Sequence, residues 1–448
     1  MERAVVVGGS VAGLLAAARV LTDHAEEVVV VDRDELADGP AERKGVPQGR
    51  HVHGLLARGL EEMERLFPGI TAELAADGGE IADPGIDLHW YVTGARKPPA
   101  GIGNGIACTR PFLEAHLRRR LTALPMVTMV RGRVDRLTAT DGKVDGTILE
   151  GAAEATEGER LSGDLVVDCS GRTSRADAWL GALGYEAPPR RSVNVELAYA
   201  TRLFPRQPGD RLGGGRGILS VTEEADRFRG SVAFPVEGGR WIVTVGGYHD
   251  DRPTIDPDDF SSRLAADPAL ALRQFADRDD ALTDVVTFRY PASVRRDYHR
   301  CNRLPGGFLA AGDAVASFNP IYGQGMTSAA LHAAEIGAYL ASGALPFEPA
   351  ATYFRRLRSV VDSVWTLSTT ADFRLSHVTG DRPKGLWLTH RLNELYTRAT
   401  LRDAEVHRLF LRVLNLQTRP EVMARPDHLV RAWRASHRPL PGDAARVR

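Results

Sequence analysis

The chain has 448 residues, 43% of them hydrophobic, enough for a large buried core and a length suited to two or three domains. A formal net charge of −1 gives no overall positive field, which argues against nucleic acid as a partner. The three cysteines, Cys108, Cys169 and Cys301, stand far apart in no spacing that ligates zinc or builds a disulfide framework, so no metal site is expected.

The first thirty or so residues run as an apolar AVVV at 4–7, a turn GGSVAG, a helical stretch LLAAARVLTDHAEE and a second apolar run VVVVD ending at Asp32. Short β-branched runs on either side of a helix read as a βαβ unit of a parallel sheet. The chain enters this strand at once, leaving no room for a signal peptide, and no run of about 18 uncharged apolar residues follows. The expectation is a soluble, cytoplasmic protein without membrane insertion. LVVD at 165–168 and GFLAAGD at 307–313 are further buried strands of the same sheet. Between them, residues 193–203, 230–236, 240–248 and 284–292 alternate apolar and polar, which predicts an inserted antiparallel sheet of roughly four strands. Beyond Phe318 the pattern is helical, down to a polar tail, RPLPGDAARVR, expected to fray. The domains are accordingly placed at 1–190, 191–295, 296–345 and 346–448, the first and third forming one discontinuous unit. The arginine pairs beginning at Arg190 and Arg295 read as solvated faces.

The opening turn fits the dinucleotide fingerprint GxGxxG at Gly8, Ser10 and Gly13. The first glycine permits the turn, the middle position must let the backbone approach a pyrophosphate, and the last lets helix pack on strand. Serine stands in the middle position, small enough to sit beside a phosphate. Gly9 and Ala12 complete the turn, and a helix starting near Val11 offers free N–H groups and a positive dipole end. Asp32, at the end of the second strand, is placed to bind ribose hydroxyls, with Arg33 next to it. The same unit serves NAD and FAD alike. Two later segments favour FAD: Gly312 and Asp313 end a strand where a carboxylate can accept from a ribitol hydroxyl, and Pro320, Gly323, Gln324, Gly325 and Met326 lead into a helix whose start can face the flavin N1–C2=O edge. Asp168 and Gly171, in LVVDCSGRTSR, end another strand of the sheet.

VGGSVAG, DCSGRTSR and GDAVASFNPIYGQGM resemble the FAD-binding segments of flavin-dependent monooxygenases of the aromatic-hydroxylase fold. The segment RKGVPQGRHVHGLL at 43–56 is similar to the subgroup that contains the flavin epoxidases of polyether antibiotic biosynthesis. The resemblance implies an α/β chain with a Rossmann-like FAD-binding domain, an inserted antiparallel β-sheet substrate domain and a helical C-terminal region. It implies that Gly8, Gly9, Ser10, Gly13 and Asp32 bind the ADP half, that Arg110 reaches the cofactor, that Val134 lies beside adenine, that Asp313 binds the ribitol and pyrophosphate region, and that Pro320 and residues 323–326 lie against the isoalloxazine. Ser10 and DCSGRTSR depart from the usual family forms, which leaves the electron donor open between NAD(P)H and a partner flavin reductase.

Such enzymes activate dioxygen as a flavin C4a-hydroperoxide that passes one oxygen atom to an alkene, arene or heteroatom, so no catalytic triad is required. The expected reaction is epoxidation or hydroxylation of a small lipophilic biosynthetic intermediate. His51 and His53, two residues apart, would share a face if in a strand; either lines the flavin edge or has a structural role. Arg43 pairs with the pyrophosphate or is solvated, and Tyr322 touches ring or substrate or packs the loop. Tyr199, Phe234, Trp241 and Phe288 are candidates for an apolar substrate pocket, or for plain core. The alternatives are a flavin-dependent halogenase, whose WxWxIP stretch is absent from the chain, an isoprenoid-chain reductase, and a flavoprotein that only binds FAD.

Overall fold

Strands of β-branched residues with no polar face need cover on both sides. In the computed structural model, which describes residues 1–150, 158–224 and 227–440, a five-stranded parallel sheet runs in the order Phe308–Ala310, Leu165–Asp168, Arg3–Val7, Glu27–Asp32, Val127–Arg131. The outermost strand, VTMVR, is half-exposed and lacks a continuous apolar run, so it escaped the sequence pattern. The helices Val11–Asp23 and Gly325–Ala341 pack against each other over this sheet, which brings the amino-terminal turn next to a helix more than 300 residues away in sequence.

The second sheet has nine strands rather than about four. Its order is Ala316–Ser317, Val286–Arg296, Arg190–Pro205, Arg240–Tyr248, Arg227–Val236, Gly217–Glu224, Leu88–Val92, Ala95–Arg96, with Thr379–Gly380 paired on Arg190–Pro205. It is also mixed, because Leu88–Val92 runs parallel to Gly217–Glu224. The four expected strands are present. Those missed are short, or lie next to the glycine-rich stretch 213–217, where alternation is too brief to read.

One face of this sheet is closed by a separate core of Phe204, Ile218, Ala233, Trp241, Val243, Phe260 and Phe275. The other face turns toward the parallel sheet and the carboxy-terminal helices Ala351–Asp372, Leu386–Thr400, Ala404–Leu414 and Pro426–Ser436. Arg295 and Arg296 are buried rather than solvated: Arg295 donates to Asp297 at 2.6 Å and to Asp362 at 2.7 Å, and Arg296 to Asp177 at 3.2 Å. All three acids lie outside the strand, two of them far away in sequence, which is why the local sequence misleads. Most of the expected frayed tail, residues 441–448, falls outside the described residues. Among the described residues no helix is long and apolar enough to cross a membrane, and no group of three His, Cys, Asp or Glu could hold a metal ion.

Candidate functional site

Where the two sheets meet they enclose a cavity of about 570 Å³, within the range of small-molecule sites. Gly8, Ser10, Val11 and Ala12 form one wall, followed by Asp32, Arg33, Arg43 and Val134 on one side and Gly171 and Arg172 on the other. Arg110 and Asp313 stand at the middle. Tyr199, Phe288, Tyr290, Phe318, Pro320, Gly323, Gly325 and Met326 line the far end. Three stretches remote in sequence thus share one cleft.

The backbone here is shaped for a close guest. Gly8 has φ +106°, and a Cβ there would stand 2.5 Å from the Cys169 carbonyl oxygen; a Cβ on Gly13 would stand 1.7 Å from the Gly8 oxygen. Both positions therefore require glycine. At Gly171 and Gly325 the reverse holds: a Cβ would meet no protein atom within 4 Å, and both residues border the cavity. Ser10 begins the helix Val11–Asp23 without a side-chain cap, so its first N–H groups are left for a ligand.

The Ser10 hydroxyl instead donates to Glu114 at 2.5 Å. Glu114 also receives Arg110 at 2.9 Å and Arg43 at 3.0 Å. Burial raises its pKa, but the two guanidiniums outweigh this and hold it below the usual carboxylate range. Arg43 goes on to donate to Asp32 at 2.6 Å, and the Gly9 N–H donates to the same Asp32 oxygen at 2.6 Å. The polar end of the cavity is thus one network that holds Arg43, Arg110 and Asp32 in fixed positions. At its centre Asp313 is raised by burial, with Arg110 and Arg172 opposing.

The two histidines do not share a face, because residues 51–54 form no strand. His51 follows the short turn Pro47–Arg50, is buried, and bonds Thr201 through Nδ1 at 2.7 Å with Tyr199 against its ring edge. His53 lines the cavity, and its Nδ1–H donates to the His51 carbonyl at 2.9 Å. Burial and the nearby Arg110 push His53 down to about 4, so its ring is neutral at physiological pH.

Tyr322 is turned away from the cavity. Its hydroxyl donates to Asp372 at 2.9 Å, and Asn319 donates to the same oxygen at 2.7 Å. Gln324 reaches the Leu414 carbonyl at 3.3 Å. Asp168, fully buried, accepts from Ser170 and Ser174 and so shapes the turn that presents Gly171 and Arg172. Gly312 sits behind Asp313, its N–H donating to His332 at 2.9 Å. Of the four aromatics expected in a pocket, Tyr199 and Phe288 are cavity walls, with ring centroids 5.5 Å apart. Trp241 belongs to the core on the opposite face, where it meets Phe275, and Phe234 is half-buried away from the cavity. Cross-strand pairing decides this: Trp241 is the register partner of Phe204, whereas Tyr199 pairs with Phe288.

Sequence reasoning missed Glu114, Arg172, Asn319, Asp372 and His332. Glu114 carried a signal, since it lies four residues after Arg110 on one helix face. Asp372 carried none, being an acid in an ordinary amphipathic helix.

The model of the FAD binding domain family matches residues 2–344. Protein Rv3254 of Mycobacterium tuberculosis is 33% identical over 402 residues, 86% of this chain and 83% of that protein. Kynurenine 3-monooxygenase of Salinispora tropica is 27% identical over 358 residues, 73% and 70% of the two chains. Among solved structures, a flavin-dependent brominase superposes with TM-score 0.67 at 14% identity, covering 99% of each chain, a likeness of fold.

Proposed function

Since the chain belongs to the FAD binding domain family, we propose that this flavin-dependent monooxygenase transfers one oxygen atom from dioxygen to an apolar biosynthetic intermediate, by epoxidation or hydroxylation. The observation that carries the reading is the shared cavity of the Gly8–Ala12 turn, the Gly171–Arg172 turn and the Asp313–Met326 segment, apolar at one end and charged at the other.

In this reading Ser10 and the start of its helix receive the pyrophosphate, Asp32 the adenosine ribose, and Asp313 the ribityl chain. Arg43, Arg110 and Arg172 balance the phosphate charge. Bound FAD supplies the activation of dioxygen. The chain's own contribution is placement. The helix Gly325–Ala341 directs its N-terminal N–H groups at the flavin edge, where they favour negative charge. Tyr199, Phe288 and Phe318 keep the far end apolar and exclude water. His53, held neutral with Nδ1 committed to the His51 carbonyl, turns Nε2 to Arg110, whose guanidinium donates to it at 3.4 Å, so the ring orients Arg110 in the cavity. Electrons come from NAD(P)H or from a partner flavin reductase.

The test is turnover under labelled dioxygen. One labelled atom should enter the product, and anaerobic conditions should abolish product formation. Product formed without oxygen would replace this reading with that of a reductase, and halide incorporation would replace it with that of a halogenase. Rapid mixing of the oxidised protein with NADPH or NADH, compared with added flavin reductase, distinguishes the two electron sources.

A further inference from the structure

The second sheet is unequal on its two faces. On the closed face Ile218, Ala233 and Val243 are fully buried. On the other face of the same strands Leu219, Val221, Val232 and Val92 are only half-buried, although none lies at a sheet edge. Register places these residues in rows with a cavity wall: Tyr199 pairs with Gly246, Gly246 with Gly230, Gly230 with Val221, and Val221 with Val92. Two consecutive glycines remove side chains from the row just beyond Tyr199. At Gly230 the side chain of Ile321, from the loop of the flavin cavity, rests on the floor, since a Cβ there would meet its Cδ1 at 3.5 Å, so Ile321 must turn aside for a bound chain to run from the cavity to Val221 and Val92. From Arg190–Pro205 to Ala95–Arg96 are five strand spacings, about 24 Å.

At the far end of this floor the next same-face residue to Val92 on its strand is Trp90. The Lys97 N–H donates to the Trp90 carbonyl at 2.8 Å, so Lys97 lies opposite Trp90 on that face. Its ammonium stands 3.9 Å over the Trp90 ring and 4.6 Å from the ring of Phe410, which the helix Ala404–Leu414 brings down as a cover. Lys97 is 5% exposed, and its ammonium makes no hydrogen bond or ion pair among the described residues. Trp90 Nε1–H beside it is likewise buried without a partner. Two rings hold the cation, but rings do not accept its hydrogen bonds, and a buried ammonium left in that state is costly.

We propose that the half-open sheet face is a trough for an elongated apolar substrate, and that Lys97, with the Trp90 N–H, receives a carboxylate head group at its far end. The proposal names the substrate class for the flavin site and rests on that reading only for the near end. Burial pushes Lys97 down to about 7, with Glu223 opposing, so a carboxylate arriving there draws a proton onto the amine. The other titratable groups facing Lys97 are Glu223, paired with Arg374 at 2.9 Å, and His407, whose Nδ1–H donates to the Pro98 carbonyl. His407 is held down to about 4 by burial and by Lys97, outside the window that matters.

The experiment uses FAD-loaded protein titrated with dodecanoate and with dodecanol, followed by calorimetry and by the flavin difference spectrum. Wild type should bind the acid at least tenfold more tightly than the alcohol, and Lys97→Met should bring the two within twofold. Above pH 7 dodecanoate affinity should fall by up to tenfold per pH unit, since its binding takes up a proton, while dodecanol stays level. Equal affinities in wild type, or an acid preference that survives in Lys97→Met, overturns the proposal. If Lys97→Met does not fold, the wild-type pH dependence decides alone, and a flat acid profile overturns the proposal. Absence of FAD uptake by wild type would instead sink the flavin reading and is measured separately.

Discussion

Glu114 offers the sharpest test of the charged end of the cavity. It is 2% exposed and accepts three bonds, from Ser10, Arg110 and Arg43. Glu114→Gln keeps the shape but removes the charge. Bonds to a charged partner contribute about 1 kcal/mol more than neutral ones, so three of them lose about 3 kcal/mol, in line with breaking a buried ion pair. For the FAD-free protein this is a fall in melting temperature of roughly 3 °C. With FAD bound, the pyrophosphate brings its own negative charge to Arg43 and Arg110, so the fall should be markedly smaller. The pH dependence has a definite sign: because the folded-state pKa of Glu114 is depressed, its contribution is present above the ordinary carboxylate range and is lost as pH falls through the folded value. Wild type and variant should therefore converge in acid. Differential scanning fluorimetry with and without FAD, from pH 8 down to about pH 2.5, reads all three effects. Equal falls with and without FAD would refute the idea that the network is poised for a phosphate, and no fall at all would refute its contribution to stability.

Asp313→Ala should weaken FAD binding at least tenfold by fluorescence titration, whereas Arg190→Ala should leave it unchanged; equal effects would remove Asp313 from the site. Trp241→Ala should cost about 3–5 kcal/mol in chemical denaturation, as a large cavity in a closed core does, with no change in FAD affinity, whereas Phe288→Ala should alter turnover more than stability. Asp372 is pushed up to about 7 by burial, against the bonds from Tyr322 and Asn319. Its folded-state pKa therefore lies above the ordinary value near 3.9, so the native state holds the proton and stability declines as pH rises from about 4 to 7. Asp372→Asn does not ionise, and its melting temperature should gain on wild type across that interval and then run parallel; an unchanging difference would mean that Asp372 ionises in the usual range.

The parallel sheet was legible because strands buried on both faces have no choice of pattern, and the Gly8–Gly13 turn because sterics leave glycine alone at both ends. The strand Val127–Arg131 was hidden by its position at an edge, where half its residues meet solvent. The size of the second sheet was hidden for another reason. Leu88–Val92 joins it from before the insert and Thr379–Gly380 from after it, and no local period reveals which distant strand a segment will pair with.

At the candidate site, residues proposed to meet a ligand through backbone geometry left a trace in the sequence, whereas those that orient them did not. Trp241 and Tyr199 look alike as aromatics in alternating strands, and only cross-strand register separates a core residue from a cavity wall. Asp372 reaches the loop of Asn319 and Tyr322 by folding back from a helix end 50 residues downstream of Tyr322. Its position on that loop is set by tertiary contact alone. The same holds for Lys97, which the helix Ala404–Leu414 covers with Phe410. Both are ionisable groups buried by the carboxy-terminal helices, the region where the sequence pattern was least specific. The FAD binding domain therefore lies in residues 2–344, which the family model matches, and on the proposed reading the choice of substrate depends on what the last hundred residues lay over the second sheet.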